Sequence, residues 1–462
     1  MGIDAKKPAV PALLALLAAL LGLAPEAARA QAAAPAVAAT AAPAQPPAPV
    51  DSPSAWMIHT QATWIDQGHP AFDSPYEGAN SLTGDSQAER TFSFSLFTGY
   101  RVLPGTEIYL DPEFFQGHGL SNTLGMAGFP NGEAVKAAFP TLHYNTSRLY
   151  IRQTFGLGGE TERIESDQQH VGGTYDVNRV MLTIGKMAAD DIFDNNAYSG
   201  GARNQFMNWS LWESSAWDYP ADIVGYTAGF AAQWNTKDWT LSYGIFMEPT
   251  ESNGAVLDKH LLDAHGQILE FDRRYGVGGL TGTLRPFVFW NQARMGNYSD
   301  ATALPSIADA LIETRAYRSK VGFGLSWDQQ LTANLGAFAR LSWDDGRTES
   351  FTFTEVDRSA ALGLSLAGTR WGRKDDTLAV AAVVNAIVPE HQAYLAAGGE
   401  QGLILGDGAL NYGPEEIIEA YYSVQVTRWL WISPDLQGAV NPGYNRDRGP
   451  VAIYAIRAHV EF

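Results

Sequence analysis

The chain of 462 residues contains no cysteine, so no disulfide framework holds it together. Beyond its first 30 residues it also lacks any apolar run long enough for a membrane helix. The longest later run, Leu378 to Val388, is only strand-length and is interrupted by Asn385. Positive charge is scarce: 31 Lys and Arg stand against 50 Asp and Glu, a formal net charge of −19. That balance argues against a nucleic-acid partner, which needs a basic face. It suits either an acidic soluble surface or a water-filled interior that repels anions. No Gly-x-Ser-x-Gly, His-Glu-x-x-His or phosphate-loop pattern occurs, and no pair among the nine His stands out at ligand spacing. The adjacent Glu415 and Glu416 do not form a glycosidase pair, because neighbours on a strand point to opposite faces. No catalytic residue, cofactor or metal is expected, and the chain is not read as an enzyme.

What is present begins with an export signal. Lys6 and Lys7 precede an apolar run from Val10 to Ala24, and Ala28-Arg29-Ala30 forms a small-x-small cleavage site. Residues 1–30 are read as a signal peptide; the alternative, an uncleaved anchor, lacks a basic stop-transfer flank. Residues 31–54 are rich in Ala and Pro and form a linker unable to build a core. A single domain, 55–462, follows.

That domain alternates with period two. Phe92, Phe94, Leu96, Tyr100 and Val102 oppose Ser93, Ser95, Gly99 and Arg101, with Phe97 the one break. Leu149 and Ile151 oppose Arg148, Tyr150 and Arg152, and the chain closes with Tyr454, Ile456, Val460 and Phe462 opposite Arg457, His459 and Glu461. The polar face holds Gly, Ser, Thr, Arg and Asp, which a packed soluble core would exclude. A final strand ending on Phe462 would leave a bare edge in a soluble sandwich, whereas a barrel closes its last strand on its first. The expected fold is all-β: a transmembrane antiparallel barrel of about 16 strands. The spans are 56–66, 91–103, 105–115, 146–156, 178–187, 223–234, 238–248, 267–278, 280–292, 317–330, 332–345, 357–369, 375–388, 416–428, 430–441 and 451–462. Long links at 116–145, 188–222 and 388–415 are expected to be extracellular or folded into the lumen.

Four stretches carry a family resemblance. They are Gln67-Gly68-His69-Pro70-Ala71-Phe72 with Asn80-Ser81-Leu82; Asp111-Pro112-Glu113 with Gly119 to Gly125 and Gly128-Phe129-Pro130; Ile184-Gly185-Lys186 with Asp191 to Asn196 and Arg203 to Trp209; and Pro434 to Gln437 with Asn441 to Asn445 and Asp447 to Val451. Their order and spacing resemble the carbohydrate-selective porins of the OprB type, over nearly the whole mature chain. The resemblance implies a channel of the bacterial outer membrane that passes neutral sugars by diffusion, monosaccharides first, with disaccharides left open. The partners it implies are sugars, outer-membrane lipid and the barrel-assembly machinery, the last through the strand ending in Phe462. A homotrimer is left open. A general or cation-preferring diffusion porin is the alternative, and a non-channel barrel a more remote one.

A pore selective for sugars needs facing charged hydrogen-bond partners and aromatic platforms. The candidates are the acidic face Glu107, Asp111 and Glu113, the basic face Arg148 and Arg152, Lys186 at a strand end, and the aromatics Tyr109 and Tyr150. Mutual lumen salt bridges that only shape the pore are the competing role. Phe338 would also stack on sugars or fill space under a loop. Arg340, Asp344, Arg457 and Glu461 are expected to be solvated wall charges. Asp190, Asp191 and Asp194 do not match a calcium loop, and capping of backbone N–H groups is their expected role.

Overall fold

The computed structural model describes residues 54–135, 138–353, 355–400 and 402–462. The signal peptide (1–30) and the linker (31–54, Ser54 excepted) lie outside the described residues. Among the described residues no helix is long and apolar enough to cross a membrane.

Eighteen strands form among the described residues: β1 Trp56–His69, β2 Gln87–Leu103, β3 Thr106–Gly117, β4 Phe139–Gly156, β5 Thr161–Ile164, β6 Gly173–Asp176, β7 Arg179–Met187, β8 Thr227–Asn235, β9 Trp239–Met247, β10 His265–Val277, β11 Leu280–Met295, β12 Ala316–Gln330, β13 Leu335–Asp344, β14 Arg358–Ala367, β15 Thr377–Ala386, β16 Glu415–Thr427, β17 Leu430–Val440 and β18 Val451–Glu461. Sixteen of them close into one antiparallel barrel, in which β4 pairs with β7 and β1 pairs with β18. Gln61 faces Glu461 and Gly68 faces Tyr454 across the closing seam, so the last strand has no free edge. β5 and β6 form a separate hairpin between β4 and β7.

All sixteen expected strands are present, most with ends shifted by a few residues. The largest difference is β4, which starts at Phe139 and not at 146. Pro140 to Tyr144 are exposed on both faces, so that stretch has no buried side to impose alternation. Within the barrel the faces divide cleanly. Ile108, Leu110, Leu149, Ile151, Ile184 and Leu362 are exposed on the outer wall, while Glu107, Asp111, Glu113, Arg152, Arg340 and Arg457 are buried on the inner one. Arginine placed at Leu362, near the middle of β14, is expected to destabilise the folded barrel by about 2–4 kcal/mol in lipid. Urea refolding into vesicles checks it; an unchanged midpoint would mean this face does not meet hydrocarbon.

Eight links at one mouth are long: 70–86, 118–138, 188–226, 248–264, 296–315, 345–357, 387–414 and 441–450. They carry the short helices α1 Trp209–Trp212, α2 Tyr298–Thr302, α3 Ala310–Glu313 and α4 Pro389–Ala396. These links turn inward and build a core inside the barrel. Phe129, Trp209, Trp217, Tyr219, Tyr394, Leu405 and Tyr444 form one cluster. Leu82, Leu120, Phe206, Phe338, Ile417 and Ile453 form another, joining links to the wall. The wall makes room for rings: a Cβ on Gly324 would sit 2.1 Å from Phe287, and one on Gly363 would sit 2.1 Å from Phe338. Phe338 is fully buried, 5.5 Å from the Phe206 ring, and fills space beneath link 188–226.

The inner-wall charges hold these links, which corrects the expectation of solvated wall groups. Arg340 donates to the carbonyls of Asp194 and Ser199 at 2.9 and 2.8 Å. Arg457 donates to those of Ala202 and Gln205 at 2.7 and 2.6 Å. Glu419 accepts from the Met207 and Asn208 amides at 2.6 and 2.9 Å, and Glu415 from the Ala127, Gly128 and Gly443 amides at 3.1, 2.7 and 2.9 Å. Asp344 is buried and accepts from the Gly346 amide at 2.7 Å. Where the backbone of an inserted link is buried it is cut off from water, and these wall charges supply the missing partners. Only Glu461 among the four stays partly open, with its side chain 41% exposed.

Candidate functional site

Two cavities inside the barrel lie against the inserted links. The first, about 310 Å³, is lined by the charged Arg148, Arg203, Glu133, Asp190 and Asp191 and by the aromatic Phe129, Trp209, Trp212, Tyr219 and Phe353. The second, about 460 Å³, lies at the short-link mouth between Thr332, Asn334, Thr377, Ser423, Ser433 and Glu461. Arg203 and the exposed Asn204, on link 188–226, stand in the walls of both. This link therefore borders both cavities.

Strand pairing explains how the charges meet. β3 and β4 place Asp111 opposite Arg148, Tyr109 opposite Tyr150 and Glu107 opposite Arg152. Inward residues directly opposite on neighbouring strands lie within side-chain reach. Arg148 donates to Asp111 at 2.6 Å and, through two nitrogens, to Asp191 of the inserted link at 2.7 and 2.6 Å. Its guanidinium lies 5.7 Å from the Phe97 ring and 5.4 Å from the Tyr226 ring. Arg203 repeats the arrangement in reverse, reaching Glu113 on the wall at 2.9 Å and Glu133 on link 118–138 at 2.8 Å. Glu113 also accepts from Ser95 and Tyr226 hydroxyls and is fully buried. Two arginines thus each bridge a wall carboxylate to a link carboxylate. Their own side chains, 13% and 19% exposed, still present some surface to the lumen.

Of the eight residues singled out in the sequence, Arg148 lines the first cavity directly. Asp111 and Glu113 lie behind the arginines and orient them. Lys186 is 3.8 Å from Asp222 and 5.8 Å from the Tyr226 ring, outside the walls of both cavities. Tyr109 and Tyr150 stack on each other at 4.8 Å beneath the Arg152 guanidinium. Arg152 donates to the Gln169 carbonyl at 2.8 Å, and Glu107 accepts from Arg101 at 2.9 Å and from the Tyr175 hydroxyl at 2.8 Å. Glu107, Tyr109 and Arg152 hold the 157–178 link, and Tyr150 packs against the last two. Reasoning from the sequence did not single out Arg203, Asn204, Glu133 or Asp191 as pore residues. Arg203 and Asn204 lie in one of the stretches that carry the family resemblance, which is the signal that would have found them.

Asp191 and Asp194 cap backbone groups: Asp191 accepts from the Ala188 amide at 3.1 Å, and Asp194 from the Ser214 amide at 2.6 Å. Among the described residues no group of three or more His, Asp or Glu is placed to hold a metal ion. Asp190 is different. Burial, reinforced by the Asp191 charge and opposed by Arg148, pushes its carboxyl up to about 7. A carboxyl raised above its unfolded value stabilises the fold while neutral, and that contribution declines from about pH 4 until it is lost above about pH 7. In the pore, the same ionisation adds a negative charge to the cavity wall. Between pH 6 and pH 8 the cation-over-anion permeability ratio should rise a few-fold, the scale of the ~1 kcal/mol that one charge exerts at 4 Å in water. Reversal potentials in a salt gradient measure this, and Asp190→Asn should remove the rise.

A closed sixteen-stranded barrel with its apolar face outward and links inserted into its lumen has the porin fold. The profile of the carbohydrate-selective porin, OprB family, matches residues 79–462, and the chain belongs to that family. It is a carbohydrate-selective porin, a family of channels. The fold is similar to Pseudomonas putida OprB at high pH, with TM-score 0.66 and 17% identity over 88% of this chain and 94% of that one. The low-pH structure of the same protein gives 0.48 and 13% over 88% and 93%. The outer membrane channel DcaP of Acinetobacter baumannii gives 0.49 and 8% over 88% and 97%. A comparison of the sequence with curated proteins gives no match.

Proposed function

We propose that this porin sits in the bacterial outer membrane and passes neutral monosaccharides down their gradient, without chemistry on the solute. One observation carries the reading: a single cavity of about 310 Å³ is lined both by two bridging arginines and by a cluster of aromatic rings. Phe129 stacks on Trp209 at 5.0 Å, Trp209 on Tyr219 at 5.9 Å, and Tyr219 on Phe353 at 5.8 Å. A sugar ring offers hydroxyls at its edge to charged donors and acceptors, and C–H faces to aromatic rings. The volume is at the lower end of the ~300–1,000 Å³ range of ligand-sized pockets, which favours one ring over two. Millimolar glucose should lower single-channel KCl conductance saturably, with an affinity of about −4 kcal/mol or weaker. A decrease that only follows solution viscosity would contradict the reading.

A cation-preferring pore is the second reading, supported by the carboxylates of Glu133, Asp190 and Asp191 beside two arginines in the same wall. The reversal potential separates the two. The outer wall would contact lipid, and Phe462, exposed and stacked on Trp429 at 5.6 Å, would be the residue the barrel-assembly machinery engages. Assembly as a homotrimer is compatible with the apolar outer face.

A further inference from the structure

The link 157–178 lies at the mouth where the other connections are brief, such as 104–105, 278–279 and 428–429. Strand β5 of its hairpin stays exposed and β6 is largely half-buried, while the segment between the two strands turns into the lumen. Val171 is fully buried, and its amide donates to the Tyr109 hydroxyl at 3.3 Å. Arg101 grips the same segment through the carbonyls of Val171 and Gly172 at 3.0 and 3.3 Å and through the Tyr175 hydroxyl at 2.6 Å. A tip held by this many charge-assisted bonds has a fixed position.

At that tip are Gln168 and Gln169. Both are half-buried and line the 310 Å³ cavity beside Arg148, Asp191 and Arg203. The Gln169 amide nitrogen donates to Asp191 at 2.9 Å, and Asp191 belongs to the link inserted from the opposite mouth. The Gln168 amide nitrogen donates to the Gln61 amide oxygen on β1 at 3.1 Å.

We propose that the constriction is a seam between two inserted links, one from each mouth, and that Gln168 and Gln169 are solute-contacting residues that set its specificity. The proposal rests on the sugar-porin reading and assigns the short-link side of that site. A primary amide holds a donor and an acceptor side by side, the pattern that vicinal sugar hydroxyls complement. It carries no charge, so it gives a neutral polyol a partner without favouring an ion over it. The arginines and carboxylates hold the seam together and offer the sugar charged partners, and the amides add neutral ones that distinguish a polyol from an ion.

The absence of cysteine makes the test direct, because Gln169→Cys introduces a unique thiol. A cationic methanethiosulfonate reagent on the folded channel should lower KCl conductance about twofold or more, since a bulky charge is then fixed at a narrow point. Thr161→Cys, on the exposed strand β5, should be modified without a change in conductance. Gln168→Ala and Gln169→Ala should fold, keep heat-modifiable migration, and lose part of the preference for glucose over an amino acid of similar size. The proposal is overturned if Gln169→Cys is fully modified by mass with unchanged conductance, if its thiol does not react, or if both alanine variants keep the wild-type preference. A wild-type channel with no sugar preference would instead sink the sugar reading, while the conductance test would still report whether the tip lines the pore.

Discussion

Arg148→Ala is expected to abolish the sugar preference while leaving the barrel closed. Arg148 makes three charge-assisted hydrogen bonds: one to Asp111 on the wall and two to Asp191 on the inserted link. Asp111 is 2% exposed and the Asp191 side chain 12%, so neither carboxylate can recover full hydration. Removing one partner of a buried pair typically costs about 3–5 kcal/mol, because the other charge is left uncompensated. Here that loss falls on the start of link 188–226, which is otherwise tied to the barrel further along, at Arg340, Arg457 and Glu419. The expected result is a link that detaches at Ala188–Asp191, a larger and noisier conductance, and swelling rates that follow solute size alone. Arg148→Lys keeps the charge but not the bidentate geometry and should be intermediate. A variant with the wild-type ratio of sugar to amino-acid uptake would remove Arg148 from the account.

The second large effect is expected from Asp218→Ala. Asp218, on the same link, is fully buried and accepts from Lys320 at 2.8 Å, from the Phe351 amide at 3.0 and 2.9 Å and from the Thr352 amide at 2.8 Å. Lys320 on β12 is itself fully buried, and besides Asp218 it donates to the Glu349 carbonyl at 3.2 Å. Truncation strands the ammonium and frees two backbone donors, again a loss of about 3–5 kcal/mol. The barrel ladder does not depend on this bond, so heat-modifiable migration should persist. Links 188–226 and 345–357, joined into one lid through Asp218 and the Phe351 and Thr352 amides, should part. Phe351 and Phe353 would then meet chymotrypsin, and cleavage should rise about 100-fold or more, because proteolysis of a transiently open segment follows its opening equilibrium. Asp218→Ala with Lys320→Met should recover part of the loss by removing the stranded charge. Equal cleavage of Asp218→Ala and wild type would show that the lid is held elsewhere.

The strands were legible because a barrel wall imposes period two on every residue that has one wet and one lipid face. Leu149 to Arg152 show it, and so does the run to Phe462. Where both faces meet water, as at Pro140 to Tyr144, the signal vanishes and β4 was read short. The site was legible as a set of inward charges but not as a surface. Facing inward was read as facing the solute, yet link 157–178 is interposed between the lumen and Glu107, Tyr109 and Arg152. Gln168 and Gln169 lie in an aperiodic stretch, so no pattern marks them. Arg340 was read as solvated because its partner carbonyl is 146 residues away in sequence, and only the folded link reveals it. Long-range satisfaction of inserted backbone is a tertiary fact with no local imprint.

Liposome swelling with the refolded protein, using glucose, a disaccharide and an amino acid of glucose-like size, decides whether the pore selects sugars. Swelling should be faster with glucose than with the amino acid, and the disaccharide should enter slowly. Rates ordered by solute size alone would contradict that selectivity and make this a general diffusion pore.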